Sequence, residues 1–265
     1  MNHLATEPRL AAVITLLFLT NVAAAQCDPS TLTVAWSGPL VLSLLESPPS
    51  LILESVKPDS DPLAAPQKYG LTRLDLSTLL EVLPAIESWT ALRTQSAEIR
   101  YKRYRGDIQI AGVSRESDGE ANFRLTQGRF LNAEDRERRR NVCVISETTA
   151  DKLDRDRDLI GARIQVDDQY FSVVGIFKDD QKKKNVEGMN VLSHDVFIPL
   201  STMQVKMGDV VIERRQGSFD VSEYELSRIQ LGFKQGVATR DLIPLVREIL
   251  KKNHPDNDYR IQHAE

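Results

Sequence analysis

The sequence predicts an α+β protein, and three observations carry that expectation. Early in the chain a strand, a helix and a strand pair follow one another. The C-terminal section repeats strand, helix, strand. Between them a short strand and helix lead into two alternating strands. A length of 265 residues allows one large domain or two small ones, and a hydrophobic content of 41% is enough for a packed core.

Residues 26–50 are poorly patterned, because Pro48-Pro49 stops the apolar run Leu40 to Leu45. Leu51 to Val56 reads as the first strand, and Lys57 to Gln67, with its prolines, as a loop. Leu74, Leu79, Leu80 and Leu83 share a helical face, with Asp75 or Ser77 as N-cap and Pro84 as the stop. Ala97 to Tyr104 and Asp107 to Val113 alternate as a strand pair around Gly106. Gly128-Arg129-Phe130-Leu131 is a turn: Gly128 permits the bend and Phe130 enters the core. A strand at Val142 to Ile145, a helix at Glu147 to Leu153, a turn at Ile160-Gly161 and strands at Arg163 to Val166 and Tyr170 to Phe177 come next. Glu223 to Phe233 reads as a strand. Leu242, Val246, Ile249 and Leu250 follow helical spacing, and Asp258 to Gln262 closes the chain as a strand. Trp89 is expected to pack under the Pro84 turn.

A net charge of −4 offers no electrostatic case for nucleic acid, which needs a clustered basic surface. The basic runs Arg136/Arg138/Arg139/Arg140 and Lys182/Lys183/Lys184 read as solvated loops, with an anionic partner as the alternative. At the N-terminus Arg9 precedes an apolar run, Leu10 to Leu19, and Ala23-Ala24-Ala25 supplies small residues for cleavage. Residues 1–25 thus read as an export signal, with an anchor formed by residues 10–25 as the alternative. The product would be periplasmic or extracytoplasmic. Cys27 follows Gln26, which does not suit lipidation, and Cys143 alternates as a buried apolar residue. A Cys27–Cys143 bond stays open.

The sequence argues against enzyme chemistry. It has no phosphate-cradling Gly-x-x-x-x-Gly-Lys-Ser/Thr loop, so no direct ATP binding is expected, and it has no Gly-x-Ser-x-Gly elbow. No catalytic residue, cofactor or metal ligand is identified. His194-Asp195 reads as a polar turn, and His254 as a cation at a helix end. Asp154, Asp156 and Asp158 have the spacing of a calcium loop, but Leu159 and Gln165 stand where glycine and glutamate belong, so a solvated loop is expected.

Several segments carry a resemblance to a known family. Tyr69-Gly-Leu-Thr-Arg-Leu-Asp75, Pro84-Ala-Ile86, Asp107 to Val113, the Leu125 to Lys178 stretch, Val196-Phe-Ile-Pro-Leu-Ser-Thr202 and Asp258-Tyr-Arg-Ile261 occur in order. This set resembles the periplasmic core domain of MacB-like ABC transporter permeases, from about Leu51 to Ile261. The resemblance implies a porter-like α+β lobe, residues 51–118 and 213–262, interrupted by an inserted mostly β lobe, residues 119–212. Asp154-Arg155-Asp156 stands where the family tends to have an aromatic, which implies a more solvated corner. Family permeases carry one membrane helix before this domain and three after it, and this sequence ends at Glu265. The resemblance therefore implies a non-catalytic interaction module that works with a membrane-bound permease and ATPase, or an adaptor protein, on other chains. The alternative is an orphan binding module. Arg136, Arg138 and Arg139 are the candidate partner contacts.

Overall fold

The computed structural model describes residues 49–58, 67–115, 125–155, 158–178, 194–215, 218–256 and 258–264. The N-terminal apolar run, Cys27, Asp156 and Lys182 to Lys184 lie outside them. In chain order the elements are β1 (Ser50–Ser55), β2 (Gln67–Lys68), α1 (Arg73–Val82), β3 (Ile86–Tyr101), β4 (Tyr104–Arg115), β5 (Leu125–Gly128), α2 (Ala133–Glu137), β6 (Val142–Ser146) and α3 (Glu147–Asp154). Then come β7 (Arg163–Val166), β8 (Gln169–Phe177), β9 (Val196–Pro199), α4 (Leu200–Met207), β10 (Val210–Arg215), β11 (Ser218–Glu223), β12 (Arg228–Phe233), α5 (Thr239–Lys251) and β13 (Tyr259–Ala264). The α+β expectation holds.

Among the described residues most strands form one sheet, in the order β13-β1-β12-β3-β4-β9-β6-β8-β5, with β7 pairing both β3 and β8. A second, small sheet runs β10-β11-β2. β1 lies next to the β13 edge and pairs antiparallel with both β12 and β13. The large sheet therefore draws on both ends of the described chain, and it continues into the middle of the sequence through the parallel β4–β9 pair.

The long β3–β4 hairpin serves two cores. Side chains alternate along a strand, so Ala91, Arg93, Gln95, Ala97 and Ile99 share one face of β3. Ala91 joins a cluster with Leu51, Leu79, Ile229 and Val246. Ala97 and Ile99 join a second cluster with Ile145, Phe171 and Ile176. Leu92, on the opposite face, packs with Val113, Val144 and Phe197. Ile176 is buried in the second cluster. Ile176→Val removes one methyl group from that site and is expected to cost about 1 kcal/mol, read as a lower urea midpoint at unchanged slope. An unchanged midpoint would show that the site relaxes around the loss.

Several elements differ from the sequence expectation. The N-cap of α1 is Thr72, whose Oγ1 accepts from the Asp75 amide, while the Asp75 carboxylate accepts from the Thr72 amide. Asp75 is the third helical residue of this capping box. Leu74 consequently points outward at 65% exposure, and Leu76 and Leu79 take the buried face. The hairpin turns at Lys102-Arg103, since Tyr101 pairs with Tyr104 and Gly106 lies inside β4 opposite Ile99. Glu223 to Phe233 is two strands in two sheets, broken between Glu223 and Arg228. The basic segment after Asn132 begins as a capped helical turn, α2, rather than a loop. Trp89 is half-buried within β3 and packs on the first cluster.

Candidate functional site

The three arginines of the candidate contact lie on α2 and the turn after it. The geometry starts at Gly128, whose positive φ of 73° ends β5; a Cβ there would sit 2.3 Å from the Val174 carbonyl oxygen. The next residue, Arg129, forks onto the buried Asp135 carboxylate at 2.6 and 3.1 Å. Asn132 caps α2 through the Asp135 amide, and Asp135 returns a bond to the Asn132 amide. Phe130 and Leu131 pack into the third cluster. Ser201 and Thr202 of α4 donate to the Arg136 and Arg140 carbonyl oxygens. The "IPLST" segment therefore holds the basic segment in place.

On this frame Arg138 and Arg139 are exposed and Arg136 is half-buried. Arg138 pairs with Glu134 at 3.1 Å, and Arg140 shares the same carboxylate at 2.7 Å. Such exposed pairs contribute little to stability, so these guanidinium groups can exchange partners readily.

The other sequence candidates have local structural tasks. Asp195 accepts from the Gln109 amide at 2.8 Å and from Thr149 Oγ1 at 3.3 Å, which ties β4 to α3. His194 lies against the Phe197 ring, with centroids 5.8 Å apart. Asp154 pairs with Lys102, and Asp158 caps the Ile160 amide. Cys143 is fully buried, and burial pushes its thiol well above the ordinary range.

His254 follows the end of α5, where the sequence reading places a cation, but it is buried. It is 4% exposed and sits between two carboxylates, Nε2 at 2.9 Å from Asp75 and Nδ1 at 2.7 Å from Asp258. The Asp75 hydrogen bond raises its proton affinity, burial opposes, and Asp258 adds to the rise. Burial alone would raise Asp75, but bonds from His254, Asn253 and Thr72 outweigh it and hold the carboxyl at about 2. The second Asp258 oxygen accepts from the Gly70 amide at 2.5 Å. Both imidazole nitrogens are thus occupied by carboxylates, and the cluster locks α1 to the α5–β13 corner.

The Tyr69 to Asp75 segment is a hub for this reason. Its consecutive amides donate to the Glu223 carbonyl, Asp258, Ser55 Oγ, Asp75 and Glu225. Gly70 has φ +78°, and a Cβ there would lie 2.5 Å from Ser55 Oγ.

Sequence reasoning also missed Arg93. It is fully buried in β3 between the two cores, with Nη1 bonded to the Gly208 carbonyl and 3.3 Å from Asp209. Its guanidinium lies 5.5 Å from the centre of the Tyr224 ring. Burial lowers its proton affinity and Asp209 opposes that shift. Arg73 reaches the same Asp209 at 2.8 Å and Glu225 at 3.0 Å. The signal available was the polar pair Arg93 and Gln95 in an otherwise apolar alternation.

Among the described residues no group of three or more His, Cys, Asp or Glu is arranged to hold a metal ion, and no helix is long and apolar enough to cross a membrane. The chain has the fold of outer domains of ABC-type transporters. It is similar to the periplasmic region of MacB from Actinobacillus actinomycetemcomitans, at 19% identity and a TM-score of 0.59, over 80% of this chain and 87% of that one. It is also similar to the extracellular domain of the ABC-type transporter YknZ from Gram-positive bacteria, at 17% identity and a TM-score of 0.57, over 80% of this chain and 99% of that one. No curated protein matches the chain. The family profile described as the MacB-like periplasmic core domain matches residues 11–240, and the chain belongs to that family.

Proposed function

We propose that the chain is a non-catalytic extracytoplasmic interaction module of a MacB-type ABC export or envelope system, acting with a membrane-bound permease and an ATPase on other chains. Family membership is the observation that carries this reading. The sequence has no phosphate-cradling loop, which supports nucleotide being handled elsewhere. His254, Asp75, Asp258, Asp135 and Asp195 hold elements of the fold together, which supports a mechanical role. Residues 51–118 and 213–262 act as the porter-like lobe and residues 119–212 as the inserted lobe. Most of the first cluster comes from residues 51–118 and 213–262 and most of the second from residues 119–212, which supports that division, although Ala97, Ile99, Ile108 and Ile110 pack into the second and Leu200 into the first. Residues 1–25 direct export.

Partner contact runs through Arg136, Arg138 and Arg139. Exposed charges of this kind govern association rate and salt dependence more than tight affinity. The test is co-purification from crosslinked cells, comparing the wild-type chain with a triple Ala variant at low and high salt. Recovery of permease, ATPase or adaptor with the wild type, reduced in the variant, is the expected result. Equal recovery with both removes the basic segment from the contact. Recovery of none of the three favours an orphan binding module.

A further inference from the structure

The tip of the β3–β4 hairpin concentrates exposed positive charge. Arg100-Tyr101-Lys102-Arg103-Tyr104-Arg105 places four cations on and beside a two-residue turn, and all four are exposed. Two-residue hairpin turns favour Asn-Gly or similar pairs, because the chain must adopt a positive φ. Here Lys102 adopts φ 51° instead. A cation is thus kept where a long side chain is conformationally unfavourable.

The turn is also rigidly mounted. Tyr101 and Tyr104 pair across the hairpin and pack on the second cluster. The Tyr104 ring crosses Gly106, where a Cβ would lie 2.7 Å from its hydroxyl oxygen. Nearby acids engage only part of the charge. Glu98 is shared by Arg100 and Arg105, and Lys102 pairs with Asp154 at 2.5 Å. Arg103 and Arg155, the residue after Asp154, are exposed, and neither side chain has a hydrogen bond or ion pair within the described residues.

Strand registers place this tip at one extreme of the sheet. Ser50 pairs with Ala264 and Gly232, and Gly232 with Ser88, so these four residues share one end. β3 runs from that end to Tyr101, about 40 Å at roughly 3.3 Å per residue. α2 is remote from the tip as well: β4 runs from Tyr104 to Val113, which pairs with Pro199, and α4, which binds the α2 turn, begins only after that.

We infer that the hairpin tip docks on an acidic surface of a partner protein. Positive charge in excess of its neighbouring acids on a rigid turn is complementary to clustered carboxylates and would steer such a partner. The choice of a protein over an anionic membrane rests on the proposed function. In that reading the membrane lies at the Ser50 and Ala264 end, where the family's helices flank the domain, and the tip faces away from it.

The test uses the full chain with poly-L-glutamate as probe and phosphatidylglycerol vesicles as the competing surface. Poly-L-glutamate is expected to bind at low ionic strength and to dissociate above about 0.3 M salt, where screening shortens to a few ångströms. Arg103→Glu with Arg155→Glu breaks no ion pair among the described residues and is expected to weaken binding at least about tenfold, a loss of about 1.4 kcal/mol, with an unchanged thermal midpoint. Lys251→Glu with Lys252→Glu, exposed at the end of α5, should leave binding as it was. Equal binding by the tip variant, equal weakening by both variants, or preference for the vesicles would overturn the inference. The crosslinking experiment separates it from the functional reading. Transporter components recovered equally with the tip variant would refute docking at the tip and leave the module role standing. Tip-dependent binding of poly-L-glutamate with no transporter component recovered would leave the docking site standing and remove the transporter.

Discussion

His254→Gln is expected to lower the unfolding free energy by about 3 kcal/mol near pH 6, because it takes one partner from a buried charge cluster. Glutamine can donate to one carboxylate but not to both, so Asp75 and Asp258 would share a buried site without the intervening cation. The variant should also lose a pH dependence that the wild type shows. The folded imidazole binds its proton more tightly than the ordinary value near 6.5. Its contribution is therefore complete below that value and is lost as pH rises through the higher folded value. Asp75 works in the opposite direction. Its carboxyl is lowered from 3.8 to about 2, so its contribution is present above 3.8 and is lost as pH falls toward 2. That shift corresponds to about 2 kcal/mol. Wild-type stability should peak between about pH 4 and 6.5 and decline on the alkaline side, whereas His254→Gln should be flat there. Urea midpoints at about pH 5.5, 7 and 9 decide it. A wild type equally stable at all three would mean that the folded imidazole is not held protonated.

Asp209→Ala is expected to cost about 3 kcal/mol or more. It leaves the fully buried Arg93 with the Gly208 carbonyl and the Tyr224 ring but no counter-charge, and it removes the fork that holds Arg73. Arg93→Met is expected to cost less. An apolar side chain of similar length removes the desolvated charge and can continue the apolar face between Ala91 and Ala97. The comparison is read from chemical denaturation of both variants at one pH. A smaller loss for Asp209→Ala than for Arg93→Met would mean that the guanidinium is stabilised chiefly by its ring and carbonyl contacts.

The family was legible because its segments recur in order, and most elements were legible because their periods are clean. The β7 strand spans Arg163 to Val166, as its alternation predicts, and α3 begins at Glu147, where the sequence reading starts that helix. The candidate surface was legible only in part. Arg136, Arg138 and Arg139 stand out as a charge run, yet the capping box at Asn132 and the Arg129 fork that shape them join residues three and six apart. The hairpin tip escaped notice because Gly106 drew the turn toward itself. In the fold that glycine makes room for a tyrosine ring instead.

By itself the sequence determined the α+β class, the order of most strands and helices, most of the apolar faces and, through its ordered segments, the family. Each of these follows from residues close together in the chain, whose alternation and capping are set by local backbone geometry. Only the tertiary structure decided the fate of the polar residues. Asp75 and His254 are separated by 179 positions, and Arg93 and Asp209 by 116, so no local pattern pairs them. Asp75, His254 and Arg93 are buried because a distant opposite charge compensates the lost hydration, and that partner comes within reach only once the chain has folded.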